Sequence, residues 1–235
     1  MSQPILQVEN IYTYIGQQLI LEGVSVAVEP NSITVLLGRN GAGKTTTLRS
    51  IMGLSPVAEG TIRFLGTEIA RKRPYHIAQM GVGYVPDYRA IFKHLTVAEN
   101  LKIAERQPGQ LNNKYAFIFD IFPDLERLYH WPGGQLSGGQ QQMLAVARAL
   151  VPDNKLLLID EPSEGLAPVI VEQMIKAIRQ LKGQTTVLLV EQNFHVARLL
   201  ADNYVIIEDG RSVHSGQMAD LVQDENLINK YLGAA

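Results

Sequence analysis

The sequence predicts an α/β fold: a mostly parallel sheet, an antiparallel β region at its flank, and a helical subdomain inserted between its strands. Three observations predict it. The runs "ITVLLG", "KLLLID" and "TTVLLVE" are short and continuously apolar, as expected of strands covered on both faces. "ILQVENIYTYI" and "VSVAVE" instead carry alternating apolar residues, separated by "GQQ" and "EG", which reads as an antiparallel start. From about residue 90 to 151 the period changes, and "TVAENLKIA" and "SGGQQQMLAVARALV" suit helices.

The elements follow in chain order. After the two antiparallel strands, "ITVLLG" runs through a glycine-rich turn into a helix, and "RPYHIAQMG" predicts another helix. Thr96 with Glu99, and Ser137 with Gln140, have the spacing of capping boxes, which satisfy the orphan amides of a helix start. "VIVEQMIKAIRQLKG" predicts a helix closed by Gly183 as its C-cap. Asn193 caps the helix after "TTVLLVE", and "YVIIEDGRSVHSG" predicts a hairpin turned by Asp209 and Gly210, followed by short helices. No repeat or low-complexity linker divides the chain. The expectation is one domain over 1–235, with 1–89 and 152–235 forming the sheet core plus antiparallel region and about 90–151 the helical subdomain.

At 235 residues the chain is long enough to bury a real core. It has no cysteine, so disulfides, thiolate zinc sites and cysteine nucleophiles are excluded. Lys and Arg number 21 against 23 Asp and Glu, for a formal charge of -2. There is no global basic field for a nucleic acid. The start, "MSQPILQVEN", has no secretory pattern, and the apolar runs fall short of the ~18–20 residues that cross a bilayer. A cytoplasmic protein is expected, reaching a membrane only through a partner.

Within "GRNGAGKTTTLRS", Gly38 to Thr45 fits G-x-x-x-x-G-K-[ST] between a strand and a helix. This is a P-loop. Gly38, Gly41 and Gly43 let the backbone of Arg39, Asn40, Ala42 and Thr46 turn N–H groups toward phosphate oxygens, assisted by the helix dipole. Lys44 reaches the β- and γ-phosphates in such loops, and the Thr45 hydroxyl ligates Mg²⁺. "KLLLIDEP" supplies the matching half, a strand ending in two carboxylates. Asp160 is expected to hold Mg²⁺ and Glu161 to act as general base toward water. In "QLSGGQQQMLAVARAL", Gly138 and Gly139 cost about 0.8–1.0 kcal/mol each relative to Ala in a helix. With Ser137 and Gln140 they suggest a second anion site at a helix N-terminus. A head-to-tail pair of chains would bring that site to the nucleotide on the partner's P-loop.

"GRNGAGKTT", "LSGGQ" and "LLLIDEP", in this order and spacing, resemble the nucleotide-binding subunits of ATP-binding cassette (ABC) transporters. "GVGYVP", "IFKHLTVAENL", "EPSEGLAP" and "VEQN" are similar to the LivF type of branched-chain amino acid importer ATPase, and to subunits of urea and amide importers. The resemblance implies a P-loop NTPase cassette that binds ATP and Mg²⁺ and dimerises around two ATP molecules. It also implies a second ATPase subunit, usually a different chain, two transmembrane permease subunits and an external solute-binding protein. The location implied is cytoplasmic, peripheral on the inner face of the cell membrane.

The chain departs from the family pattern at four places. The family stacks adenine on an aromatic where this chain has Ile15; Tyr14 or Tyr12 are the substitutes, or these tyrosines pack the flank. Asp87 stands where a Gln normally touches Mg²⁺, and is either a shorter ligand or a turn residue after Pro86. Tyr88, Arg89, Ile91 and Phe92 are candidates for the permease-docking surface, with a buried subdomain contact as the competing reading. Ala167 replaces an Asp that couples the two sites. Gln192 replaces the switch His that contacts the γ-phosphate, while His195 lies three residues later in a helix. Gln192 can donate to a phosphate oxygen and accept from water. Glu191 reads as a flanking residue. His76, His94, His130 and His214 are scattered and suggest no metal site. The rival readings are a soluble non-transport cassette ATPase and a weakly hydrolysing regulatory subunit.

Overall fold

The computed structural model describes residues 3–233. The ends of the expected domain span, residues 1–2 and 234–235, lie outside the described residues. The chain begins with β1 (Leu6–Ile15) and β2 (Gln18–Val28), paired antiparallel as their alternation predicts. β3 (Ile33–Leu37) leads into α1 (Lys44–Ile51). β4 (Val57–Phe64) and β5 (Thr67–Glu68) return to the first hairpin, completing a four-stranded sheet in the order β2-β1-β4-β5. α2 (Pro74–Gln79) then precedes β6 (Val82–Val85).

Four helices follow: α3 (Val97–Lys102), α4 (Gln110–Ile121), α5 (Pro123–Arg127) and α6 (Gly138–Leu150). Thr96 and Ser137 close reciprocal capping boxes with Glu99 and Gln140, at the starts of α3 and α6. The chain returns to the sheet through β7 (Leu156–Asp160), α7 (Pro168–Leu181), β8 (Thr186–Val190) and α8 (Phe194–Leu200). β9 (Asn203–Glu208) and β10 (Arg211–Gln217) form the last hairpin, followed by α9 (Met218–Leu221) and α10 (Glu225–Leu232). Its turn places Asp209 at φ 45° and Gly210 at φ 75°, the left-handed pair that a two-residue hairpin turn requires.

The larger sheet has six strands in the order β10-β9-β3-β8-β7-β6. Its neighbours are parallel except for β10, which pairs antiparallel with β9. The continuously apolar strands are buried on both sides. Val35, Leu157 and Leu189 join the core shared with α6, α7 and α8, whereas Leu36, Leu158 and Leu188 join the core under α1 and the antiparallel sheet. Each such fully buried side chain contributes about 1.5–3 kcal/mol relative to exposure. The sheet is therefore clamped between two apolar layers, and the carboxyl ends of β3, β8, β7 and β6 share one edge.

Two details differ from expectation. Gly183 does not cap α7: Leu181 O accepts from Gln184 N at 2.9 Å, with Lys182 at ψ 129° and Gly183 at φ 81°. That is a type II turn, in which glycine takes the left-handed third position. The strands β4 and β6 carry no signal in the sequence reading above. β4 is half exposed and holds Gly60 at φ 91°, where an added Cβ would collide with the Asn10 carbonyl oxygen. The glycine accommodates an irregularity in β1 between Glu9 and Tyr12.

Candidate active site

The P-loop leaves β3 and wraps onto the start of α1. Gly38, Gly41 and Gly43 lie at φ 147°, 79° and 106°. A Cβ on Gly38 would enter the Ile207 carbonyl oxygen, and one on Gly43 would lie 2.7 Å from a methyl of Leu21. Close packing beneath the loop thus demands glycine at both positions. The Cβ direction of Gly41 is open. Lys44 is 4% exposed, and its Nζ donates to the carbonyl oxygens of Gly38 at 2.9 Å and Arg39 at 3.1 Å. The lysine crosses its own loop.

At the end of β7, Thr45 Oγ1 donates to Asp160 Oδ1 at 3.0 Å, and the Tyr84 hydroxyl donates to Oδ2 at 3.4 Å. Asp160 is fully buried. Burial pushes its pKa up to about 6 against the pull of the Thr45 hydrogen bond, and the charge of Asp87 adds to the rise. Burial also raises the Tyr84 hydroxyl, followed by the charges of Asp160 and Asp87. Among the described residues no three or more His, Asp or Glu side chains group to cage a metal. Mg²⁺ is ordinarily held by one or two protein oxygens plus phosphate and water. The Thr45–Asp160 pair has that chemistry.

Glu161 follows with a left-handed backbone at φ 44° and donates its N–H to Val190 O at 3.0 Å. The twist turns its carboxylate toward the P-loop, where Oε1 lies 3.5 Å from Lys44 Nζ. Burial pushes the Glu161 pKa up to about 7; a hydrogen bond with Glu164 adds to the rise, and Lys44 opposes it. Glu161 and Glu164 both line a cleft of about 420 Å³ with Asn40, Gly41, Gly43, Lys44, Thr45 and Thr46. They also line a neighbouring cavity of about 930 Å³ with Glu191, Gln192, Asn193 and His195. Glu161 stands on the wall between the P-loop and the segment carrying Gln192.

Ile15 and Ile20 border the P-loop cleft; Tyr14, 46% exposed, is not part of its lining. Asp87 is exposed, in a turn closed by Arg89 N donating to Pro86 O at 3.3 Å. Its Oδ1 accepts from Tyr88 N at 2.9 Å. Gln192 is exposed beside Asn193, whose side chain caps α8 through the amides of His195 and Val196. His195 Nδ1 lies 2.9 Å from Arg198 Nη2.

Ser137, Gly138, Gly139 and Gln140 do not line the P-loop cleft of their own chain. Their glycines also have packing reasons. A Cβ on Gly138 would lie 3.1 Å from Arg89 Nη1, and one on Gly139 would lie 2.9 Å from Cγ2 of Ile170. The sequence reading missed Tyr84, Ile20, Glu164, Arg148 and the placement of Arg89. Arg148 donates to the Ala90 carbonyl and stacks 4.8 Å over the Phe92 ring, tying α6 to the loop after Asp87. Only the acid repeated in "DEPSEG" gave a sequence signal for any of these, namely Glu164.

A P-loop on a parallel sheet, an Asp-Glu pair at the end of β7 in the same sheet, an antiparallel flank and a helical subdomain define a P-loop NTPase of the ABC-cassette fold. A family model described as ABC transporter matches residues 21–164. The chain belongs to that family, as an ATP-binding subunit. It is 39% identical over 97% of its length to the whole of a high-affinity branched-chain amino acid transport ATP-binding protein, BraG, of Pseudomonas aeruginosa. A probable branched-chain amino acid transport ATP-binding protein, LivF, of Archaeoglobus fulgidus is 36% identical, with 91% of this chain and 92% of that one covered. The crystal structure of the ADP conformation of an ATP-binding cassette of an ABC transporter matches with a TM-score of 0.86 at 26% identity, covering 99% of this chain and 100% of that one. Use of ATP and Mg²⁺, and ATP hydrolysis in general, are typical of this family. No helix among the described residues is long and apolar enough to cross a membrane.

Proposed function

We propose that the chain is the ATP-hydrolysing subunit of a LivF-type importer for branched-chain or other neutral amino acids, or for a related small polar solute. It would work on the cytoplasmic face, beside a second, non-identical cassette and two permease subunits served by a solute-binding protein. The subdomain division at about residues 90 and 151 belongs to the same proposal. The observation that carries the hydrolytic part is the 3.5 Å approach of Glu161 to Lys44, next to the Thr45–Asp160 pair. The likeness to branched-chain amino acid cassettes supports the solute class.

Bound Mg²⁺-ATP would supply the γ-phosphoryl group and neutralise its charge. The residues provide positioning. The amides from Arg39 to Thr46 would cradle phosphate oxygens, and Lys44 would exchange its two carbonyl partners for them. Thr45 and Asp160 would hold the metal, with Asp87 as an outer ligand. Glu161, ionised, would accept a proton from water oriented by Gln192. Ser137 to Gln140 would bind the nucleotide of the partner cassette, since they lie apart from this chain's own P-loop. Ile15 would pack the base in place of an aromatic ring, with Tyr14 at the rim.

Glu161→Gln tests the reading: ATP binding should persist, hydrolysis should collapse and an ATP-bound dimer should accumulate. Undiminished turnover would refute the assigned base. The solute is identified by which member of a panel of neutral amino acids, urea and short amides stimulates ATPase activity in the reconstituted transporter. A weakly hydrolysing regulatory subunit is the second reading, favoured by the hydrogen bond that occupies Asp87 Oδ1. Single-turnover hydrolysis in the assembled complex separates the two.

A further inference from the structure

Glu191 directly follows β8, the strand lying between β3 and β7. It is 2% exposed, although carboxylates are almost never buried without a partner. Among the described residues no cation forms an ion pair with it. Its hydrogen-bond partners come from two segments, Ser163 with its hydroxyl and amide on one side and the amides of Gln192 and Asn193 on the other. Oε1 accepts from Ser163 N at 3.3 Å, and Oε2 accepts from Asn193 N at 3.3 Å. Burial raises its pKa, opposed by hydrogen bonds from Ser163, Asn193 and Gln192.

We infer that Glu191 is a positioning residue that holds the turn carrying Glu161 and the loop carrying Gln192 at a fixed separation. The regular β7–β8 ladder ends at Asp160 opposite Val190, with one more bond from Glu161 N to Val190 O. Beyond that point the strands diverge into the turn at Ser163 and the cap at Asn193. The Glu191 carboxylate continues the connection where the main chains no longer pair. It faces amides rather than the reacting groups, so it acts through its neighbours.

The inference rests on the reading of Glu161 and Gln192 given above, and extends it. Ser163 opens the segment that runs to Ala167, the N-cap of α7. A displacement of that segment would reach Gln192 through one buried side chain. This offers a route between the two halves of the site through the Glu191 carboxylate, independent of a side chain at position 167.

The test is a double-mutant cycle in the full-length chain, measuring Mg²⁺-ATP affinity, single-turnover hydrolysis and thermal unfolding. Glu191→Gln keeps the volume but replaces one acceptor oxygen with a donor, so one of the two amides loses its partner. Hydrolysis should slow about 10–100-fold while ATP affinity stays within about threefold. Glu191→Asp retains both acceptors on a shorter arm and should recover part of the rate. The double variant Glu191→Gln, Gln192→Ala should be no slower than Gln192→Ala alone, because both changes disable the same element. Multiplicative losses, or a wild-type rate for Glu191→Gln beside a slow Gln192→Ala, would overturn the inference. A wild-type rate for Gln192→Ala would instead overturn the underlying role of Gln192. Should Glu191→Gln not fold, Glu191→Asp carries the same cycle, and additivity there would overturn it equally.

Discussion

Thr45 Oγ1 donates to Asp160 Oδ1 across 3.0 Å, joining the first turn of α1 to the end of β7. This bond draws the phosphate loop and the acidic strand end into one site. The intervening strand is β8, so the switch loop emerges between the two. Sheet order alone therefore brings together three segments that are distant in sequence. The side chains need only short reaches.

Thr45→Ala removes a donor that favours the ionised form of the buried Asp160. A hydrogen bond to a charged group is worth about 1.5–3 kcal/mol, so the Mg²⁺ concentration for half-maximal hydrolysis should rise about tenfold or more. Asp160→Asn should raise it further. A Mg²⁺ titration of the ATPase rate measures both, and an unchanged midpoint for Thr45→Ala would remove the hydroxyl from the metal site.

Two P-loop glycines should respond differently to alanine. Gly38 lies at φ 147° against the Ile207 carbonyl, whereas the Cβ direction of Gly41 is open at φ 79°. Gly38→Ala should cost about 2–4 kcal/mol through overpacking and backbone strain together. Gly41→Ala should cost about 1–2 kcal/mol from its left-handed backbone alone. Thermal unfolding without nucleotide gives the comparison, and equal losses would contradict it.

The parts of this fold that were legible are those written in local patterns. β3, β7 and β8 announce themselves as apolar runs because both faces are covered, and the P-loop does so through glycine spacing. β4 and β6 were not legible. Their apolar residues are mixed with Gly60 and Gly83, and their order depends on partners far away in the chain. The site divides in the same way. Lys44 and Thr45 follow a recognisable glycine-rich turn and Asp160 and Glu161 a recognisable strand end, but the Tyr84 bond to Asp160 depends on which strand neighbours which. The glycines of "LSGGQ" point in one dimension to a phosphate, and their close contacts with the Arg89 and Ile170 side chains cannot be seen there.

The nucleotide-free chain should lose stability as pH rises through the acidic range. Asp160 moves from 3.8 to about 6 and Glu161 from 4.5 to about 7. Between about pH 4 and pH 7 the folded chain therefore keeps protons that the unfolded chain has released, and stability falls with rising pH. The preference is fully present below the unfolded values and is lost above the folded ones. Thermal midpoints measured without Mg²⁺ should show this slope, with a smaller one in Glu161→Gln. A flat or rising profile through that window, once other acids are matched by the variant comparison, would contradict it.

Gln192 and His195 line the same cavity, so position alone does not choose between them. Their partners do. His195 lies within α8, and its Nδ1 is 2.9 Å from Arg198 Nη2. That pairing is local to the helix surface. Gln192 precedes the cap, on the loop leaving β8 beside Glu161, and its amide offers both a donor and an acceptor. Loss of one oriented donor at such a centre costs about 10²–10³ in rate. Gln192→Ala should fall by that factor at saturating ATP, whereas His195→Ala should stay within about threefold, the usual range for an exposed substitution. Gln192→His, which keeps a side chain able to donate and to accept, should retain more activity than Gln192→Ala. Single-turnover rates decide the order, and a larger loss for His195→Ala would move the switch into α8.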